Sequence, residues 1–221
     1  TDIPKGNWVD RWLPPFARPY ARLARWDRPI GTWLLLLPCW WGVALFGHGS
    51  GHSVLMLLWY GVLFGIGALA MRGAGCTWND ITDRHIDGKV ALRATRPIPS
   101  GQVSVKQALA FIVLQALVGL AVLTQFTLPA AITAIASLGV VAVYPFMKRY
   151  TYFPQCFLGV AFNWGALVAF AAGAGGFAPE AFLLYASGLF WTLGYNTIYA
   201  CQDIEDDALV GIRSSALRLG G

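Results

Sequence analysis

The sequence predicts an all-α fold, a polytopic bundle of transmembrane helices. Three observations carry the prediction. The 221-residue chain is 57% hydrophobic and only 12% charged, about half the charge fraction of an average soluble domain. Its apolar residues fall in runs long enough to cross a bilayer, which takes roughly 20 residues per helix. The links between the runs alternate between uncharged and charged, as loops on opposite membrane faces do.

An N-terminal arm, residues 1–28, comes first. Trp8, Trp12, Phe16, Tyr20 and Trp26 stand among arginines there, the composition of an amphipathic helix lying in the membrane interface. Six apolar segments follow, at about 29–47, 53–77, 104–125, 128–147, 156–175 and 179–202. "GHGSG", "TQFTLP" and "AGGFAPE" link them on one side without Lys or Arg. The arm, 78–103, 148–155 and 203–221 hold or border the charges on the other. Cys39, Cys76, Cys156 and Cys201 lie within or at the ends of apolar runs without metal-ligand spacing, and imply no disulfide framework. The chain starts at Thr1 with neither Met nor signal peptide, and stops at "SSALRLGG" without a closing helix or polar tail. The expectation is one domain over 1–221, truncated at its C-terminus.

All 16 Lys and Arg fall on one membrane side, Arg72 within its apolar segment among them, and of the 11 acids only Glu180 falls on the other. The positive-inside rule makes the charged side cytoplasmic, or the matrix side in a mitochondrion. The bilayer is thus the first partner. The net charge of +5 reads as topology plus anion attraction. A nucleic-acid surface is excluded, because the basic residues are tied to membrane ends.

The chemistry gathers where the second segment ends, in "GCTWNDITDRHIDGK" (75–89). If the helix continues, each residue turns about 100°. Asn79, Asp83, Asp87 and Asp80 then share a narrow face, with His85 turned away. Carboxylates so close repel one another and are costly near a membrane. Hard oxygen ligands suit Mg²⁺, which takes one or two carboxylates and completes its shell with water and substrate phosphate. A second cluster closes the sixth segment, "YACQDIEDDALVGIR". Asp203 and Asp207 share a face, Asp206 is nearby and Glu205 points away. "NDITDRHIDGK" aligns without gaps on "QDIEDDALVGI", the mark of an internal duplication with one acidic site per repeat. Two facing acidic patches suit two or more Mg²⁺ around one diphosphate.

A diphosphate also needs direct cationic contacts. Arg93 and Arg96, the Lys148–Arg149 pair, and Arg213 with Ser214 and Ser215 are the candidates on that side. Arg72, about two turns before the first cluster, either holds a substrate carboxylate or pairs with an Asp of the cluster. Asn163 interrupts the fifth segment, as interhelical glue or as a cavity wall. His48 and His52 lie on the far side and carry no assigned role.

With these residues in hand, the chain resembles the UbiA superfamily of intramembrane prenyltransferases, and within it the 4-hydroxybenzoate polyprenyltransferases of ubiquinone biosynthesis. The family motif NDxxDxxxD matches Asn79, Asp80, Asp83 and Asp87. YxxxDxxxD matches Tyr199, Asp203 and Asp207. "RPIGTWLLLLPCWW", "MRGAGCTWND", "TRPIPSG", "YPFMKR" and "FNWGAL" are similar to the 4-hydroxybenzoate branch. The family has nine helices where this chain has six, and Asn196 stands where close relatives are expected to carry an acid.

The resemblance implies C–C bond formation between a long polyprenyl diphosphate and 4-hydroxybenzoate. It implies Mg²⁺ on Asn79, Asp83, Asp87, Asp203 and Asp207, and diphosphate contacts from Lys148, Arg149 and Arg213. Trp78, Tyr144, Phe162, Trp164, Tyr195 and Tyr199 would line the allylic cation. Asp80 or Asp203 would take a proton, and Arg72 or the Lys148–Arg149 pair would hold the carboxylate. A bacterial or mitochondrial inner membrane, and association with other quinone-biosynthesis proteins, belong to the same expectation. The competing readings are a prenyltransferase for another aromatic acceptor and a membrane transporter, which would place charges deep in several spans.

Overall fold

The computed structural model describes residues 6–48, 50–88 and 93–201. Among them are eight helices and no strand: α1 Trp8–Trp12, α2 Arg18–Leu23, α3 Ile30–Gly47, α4 Val54–Asp87, α5 Val105–Leu123, α6 Leu128–Tyr150, α7 Pro154–Ala174 and α8 Pro179–Ala200. The six apolar segments become α3 to α8.

Five of the six, α3 to α7, are long and apolar enough to cross a membrane. The sequence reading counted α8 as a sixth. Its 22 residues give about 33 Å of helix at 1.5 Å per residue, so length is sufficient. Tyr185, Ser187, Tyr195 and Asn196 dilute its apolar character. Large apolar side chains stand exposed along α5 at Leu109, Val113, Leu117 and Leu120. Such an exposed stripe is a liability in water and the natural surface in lipid.

The arm is not the single interfacial helix its composition suggests. Pro14 and Pro15 separate α1 from α2, because proline cannot donate to the ladder within a helix. Asn7 caps α1, its Oδ1 accepting from the N–H of Val9 at 3.1 Å. α2 ends in a Schellman turn: the N–H of Trp26 donates to the Ala21 carbonyl at 3.0 Å and that of Arg25 to the Arg22 carbonyl at 3.2 Å. This motif wants glycine at its left-handed position, yet Arg25 stands there with φ +58°. The left-handed conformation costs a non-glycine residue about 1 kcal/mol.

The chain divides into two compact units, 1–33 with 67–120 and 34–66 with 121–221. In the first, Leu23 of the arm is fully buried in a cluster with Ile81 of α4, Ile98 and Val103 of the 93–104 loop and Ala108 of α5. Tyr20 meets Phe111 edge-on, with ring centroids 5.3 Å apart. The arm therefore joins this unit's core through Leu23 and Tyr20, while Trp12 and Phe16 stand largely exposed, at 82% and 77%, and Trp8 partly so, at 45%.

In the second unit, polar side chains tie helix to helix across apolar surfaces. Trp164 Nε1 of α7 donates to the Thr133 carbonyl of α6 at 2.8 Å. Trp40 Nε1 of α3 donates to the Gly61 carbonyl of α4 at 3.1 Å. Phe64 stacks on Phe126 at 4.7 Å. α3 approaches α7 closely at Gly42, where an added Cβ would lie 2.6 Å from the Ala166 carbonyl oxygen. Small residues let helices pack this tightly in lipid. A backbone oxygen cannot swing away, so Gly42→Ala separates the two helices at a cost of about 1–3 kcal/mol. The expected result is a lower thermal midpoint in detergent; a midpoint equal to wild type would contradict the close approach.

Candidate functional site

α4 is the element that builds the site. It runs unbroken for 34 residues to Asp87, about 51 Å at 1.5 Å per residue. That exceeds the roughly 30 Å hydrocarbon core, so the helix continues through the polar stretch where the sequence reading ended its apolar segment. The carboxylates therefore lie on one continuous helix, as the 100° construction required. Arg84 and His85 are exposed, His85 turned well away from the carboxylates.

Asp80, Asp83 and Asp87 are buried to 0%, 1% and 1% exposure; Asn79 is half-buried. Buried carboxylates need counter-charges, and three arginines from two other parts of the unit supply them. Arg25 Nη2 donates to Asp80 Oδ1 at 2.7 Å. Arg96 Nη1 donates to Asp87 Oδ2 at 2.8 Å and lies 3.4 Å from Asp80 Oδ1. Arg93 Nη1 is 3.8 Å from Asp87 Oδ1, which is ion-pair range and beyond a hydrogen bond.

The structure thus gathers six of the expected residues, Asn79, Asp80, Asp83, Asp87, Arg93 and Arg96, around one helix end. Arg96, expected on a diphosphate, bridges two of the motif's own carboxylates. Asp80, expected as a proton acceptor, has its Oδ1 committed to two guanidiniums. Arg25 was counted in the sequence only among the basic residues of one membrane side. Nothing in its spacing points to a carboxylate 55 positions on, and the usable signal was its place at the end of α2 without a glycine.

Arg72 lies on α4 about 12 Å before Asp80, by helical rise. Its guanidinium rests against Gly31: a Cβ there would stand 2.5 Å from Nε and Nη2. Four residues before Gly31, Asp27 has a fully buried side chain 3.4 Å from Arg28 Nε.

The other expected residues belong to the second unit. Asn163, at 2% exposure, donates from Nδ2 to the Gly159 carbonyl at 2.9 Å and to Thr192 Oγ1 of α8 at 2.8 Å. Gly188 leaves room for its Oδ1. The structure places Asn163 in the α7–α8 contact, as interhelical glue. Tyr144 is half-buried on α6, and Tyr199 is 61% exposed on α8. Lys148 and Arg149 close α6. Asp203, Asp207, Arg213 and Ser214 lie outside the described residues, as do Ser215 and the whole second acidic cluster, so the internal duplication rests on sequence.

Among the described residues no three His, Cys, Asp or Glu gather closely enough to make a metal centre alone. The helix explains this: Asp83 and Asp87 are one turn apart, about 6 Å of rise, and Asp80 faces some 100° from Asn79. The donor set still fits Mg²⁺, which needs only one or two carboxylates from the protein. Asp87 Oδ1 is buried and accepts no hydrogen bond among the described residues. An oxygen in that state favours a cation.

Residues 35–221 match the model of the UbiA prenyltransferase family. The chain belongs to the UbiA prenyltransferase family. It is 48% identical, over 99% of its length, to the mitochondrial 4-hydroxybenzoate polyprenyltransferase of Arabidopsis thaliana, and covers 53% of that protein. The chain thus spans about half the length of this curated relative. Two solved UbiA homologues share its fold. The apo homologue from Aeropyrum pernix K1 superposes with a TM-score of 0.72 at 24% identity, over 87% of this chain and 71% of that one. The homologue from Archaeoglobus fulgidus bound to GPP and Mg²⁺ superposes at 0.67 with 22% identity, over 91% of this chain and 69% of that one. For this UbiA chain, these two likenesses speak to the fold alone.

Proposed function

We propose that the full-length protein transfers a polyprenyl group from its diphosphate to the ring carbon of 4-hydroxybenzoate, with Mg²⁺ bound at the two acidic motifs. One observation supports the reading: a face of buried carboxylates at the end of a membrane-length helix, with Asp87 Oδ1 accepting no hydrogen bond among the described residues. The Arabidopsis relative's name supplies the acceptor, and the Archaeoglobus homologue's ligands supply the diphosphate class and the ion.

The chemistry follows from the substrates. The C1–O bond of the allylic diphosphate breaks and its electron pair leaves on the diphosphate. The ring carbon ortho to the hydroxyl and meta to the carboxylate bonds to C1, and the ring proton departs. Mg²⁺ held by Asn79, Asp83 and Asp87 together with Asp203 and Asp207 would neutralise the departing diphosphate. Lys148, Arg149 and Arg213, with Ser214, bind the diphosphate oxygens. Tyr144 and Tyr199 offer π faces to the allylic cation. Asp203 accepts the proton, since Asp80 is held by Arg25 and Arg96. Arg72 fixes the acceptor carboxylate. The site belongs at the cytoplasmic or matrix face of an inner membrane, where a lipid tail meets a charged head.

The test uses membranes carrying the full-length protein, radiolabelled 4-hydroxybenzoate, an isoprenyl diphosphate and Mg²⁺. Lipid-soluble label that vanishes with EDTA supports the reading. Label crossing sealed vesicles without product would favour a transporter, and product only with a different aromatic acid would replace the acceptor.

Gly31→Ala tests Arg72 separately. The added Cβ displaces the guanidinium, and losing a charge-assisted hydrogen bond costs about 1.5 kcal/mol, or roughly tenfold. The expected result is a KM for 4-hydroxybenzoate raised about tenfold, with that for the diphosphate unchanged. An unchanged acceptor KM would remove Arg72 from carboxylate binding.

A further inference from the structure

We infer that Arg25, on the N-terminal arm, is a positioning residue for the first acidic motif, holding Asp80 so that the ligand face of α4 is set for the Mg²⁺–diphosphate. The inference rests on the functional reading above.

Three independent observations converge on Arg25. It occupies the left-handed position of a Schellman turn with φ +58°, where a cap alone would favour glycine. Strained residues persist when the surrounding structure requires them, and they concentrate at functional sites. Its guanidinium reaches Asp80 Oδ1 at 2.7 Å, and that carboxylate is wholly buried. Finally, Leu23, two residues earlier, is locked against Ile81, the neighbour of Asp80, in the same cluster as Ile98 and Val103.

The geometry gives the arginine a defined task. Asp80 sits one residue after Asn79 and about 60° from Asp83 around the helix. Arg25 and Arg96 both reach its Oδ1, from the arm and from the 93–104 loop. Asp80 is thus the point at which arm, loop and α4 are joined by charge. Rotating α4 to present Asp80 to a metal would break the contact with Arg25. Asp80, Asp83 and Asp87 are all buried and Arg96 holds Asp87 as well as Asp80, so the contact special to Arg25 is the one that fixes the rotation of α4 against the arm.

Arg25→Gly separates this role from helix capping. Glycine suits φ +58°, so the turn keeps its geometry while the clamp is lost. In the full-length protein, Arg25→Gly is expected to lower the thermal midpoint, but less than Arg96→Met does, since Arg96 still faces Asp80 and glycine relieves the strained φ. The same variant should lower kcat about a hundredfold, raise the Mg²⁺ concentration needed for half-maximal rate, and lose the thermal shift given by Mg²⁺ plus inorganic diphosphate. Arg25→Lys should recover part of both activity and shift. Arg25→Gly combined with Asp80→Asn should be no worse than the poorer single variant, since both act through one contact. Wild-type turnover and shift in Arg25→Gly would overturn the inference, as would fully additive losses in the double variant. A variant that fails to fold is replaced by Arg25→Lys, where unchanged Mg²⁺ dependence overturns it equally. Absence of prenyl transfer by the wild type overturns the functional reading. Arg25 is then judged on the diphosphate shift, where a wild-type shift in Arg25→Gly overturns its role.

Discussion

Asp83→Asn is expected to lower prenyl transfer roughly 10²–10³-fold in kcat, about 3–4 kcal/mol of barrier, while leaving the fold intact. The substitution keeps shape and removes one negative charge from a residue only 1% exposed. The i→i−4 backbone bonds of α4 are untouched and asparagine keeps the side chain's size, so the helix is expected to persist. On the proposed function, what is lost is an anionic oxygen for the ion that would draw charge from the leaving diphosphate. Asp203→Ala should produce a loss of similar size if the second motif holds its own share of the site. Product formation from labelled 4-hydroxybenzoate, with thermal midpoints as a folding control, checks both. Turnover within threefold of wild type in both variants would sink the Mg²⁺–diphosphate reading.

Arg96→Met is expected to lower stability by about 3 kcal/mol. The guanidinium joins Asp80 and Asp87, both buried, at 3.4 and 2.8 Å. Removing it leaves two carboxylates short of a counter-charge in a low-dielectric setting, and the cost is that of uncompensated burial. Arg25 and Arg93 remain nearby and limit the loss. For a chain of this size, 1 kcal/mol moves the midpoint by about 2–4 °C, so a drop of roughly 6–12 °C is expected. Adding Asp80→Asn and Asp87→Asn to Arg96→Met should recover much of it, because the buried charges are then gone. A triple variant no more stable than Arg96→Met alone would show that the arginine acts through packing and not through charge.

The clusters of Asp in this chain could be read because they sit at helical spacing at the end of an apolar run. A face of oxygens at i, i+4 and i+8 is a local property, and α4 carries it from Asn79 to Asp87 with the turn the sequence prescribes. The same local logic placed α3 and α5 to α8 within a few residues, while α4 runs ten residues past the end of its apolar segment. It failed for the arm, where composition suggested one amphipathic helix. Two adjacent prolines break it, and Leu23 then draws it into the first unit's core. It also left Asn163 open between glue and cavity wall, and its hydrogen bond to Thr192 of the neighbouring helix, an interhelical contact, became visible only in the structure.

The sequence by itself determined the apolar helical segments, the gathering of basic residues in alternate links and the two acidic motifs. Each is written in apolar length, in the sign of flanking residues or in spacing along one helix. The tertiary structure decided which counter-charge each carboxylate meets. Arg25 and Arg96 reach Asp80 from 55 and 16 positions away, over a turn and a loop whose paths no periodicity encodes. A pairing of that kind exists only once the arm has folded against α4, because burial is what turns a nearby arginine into a required one.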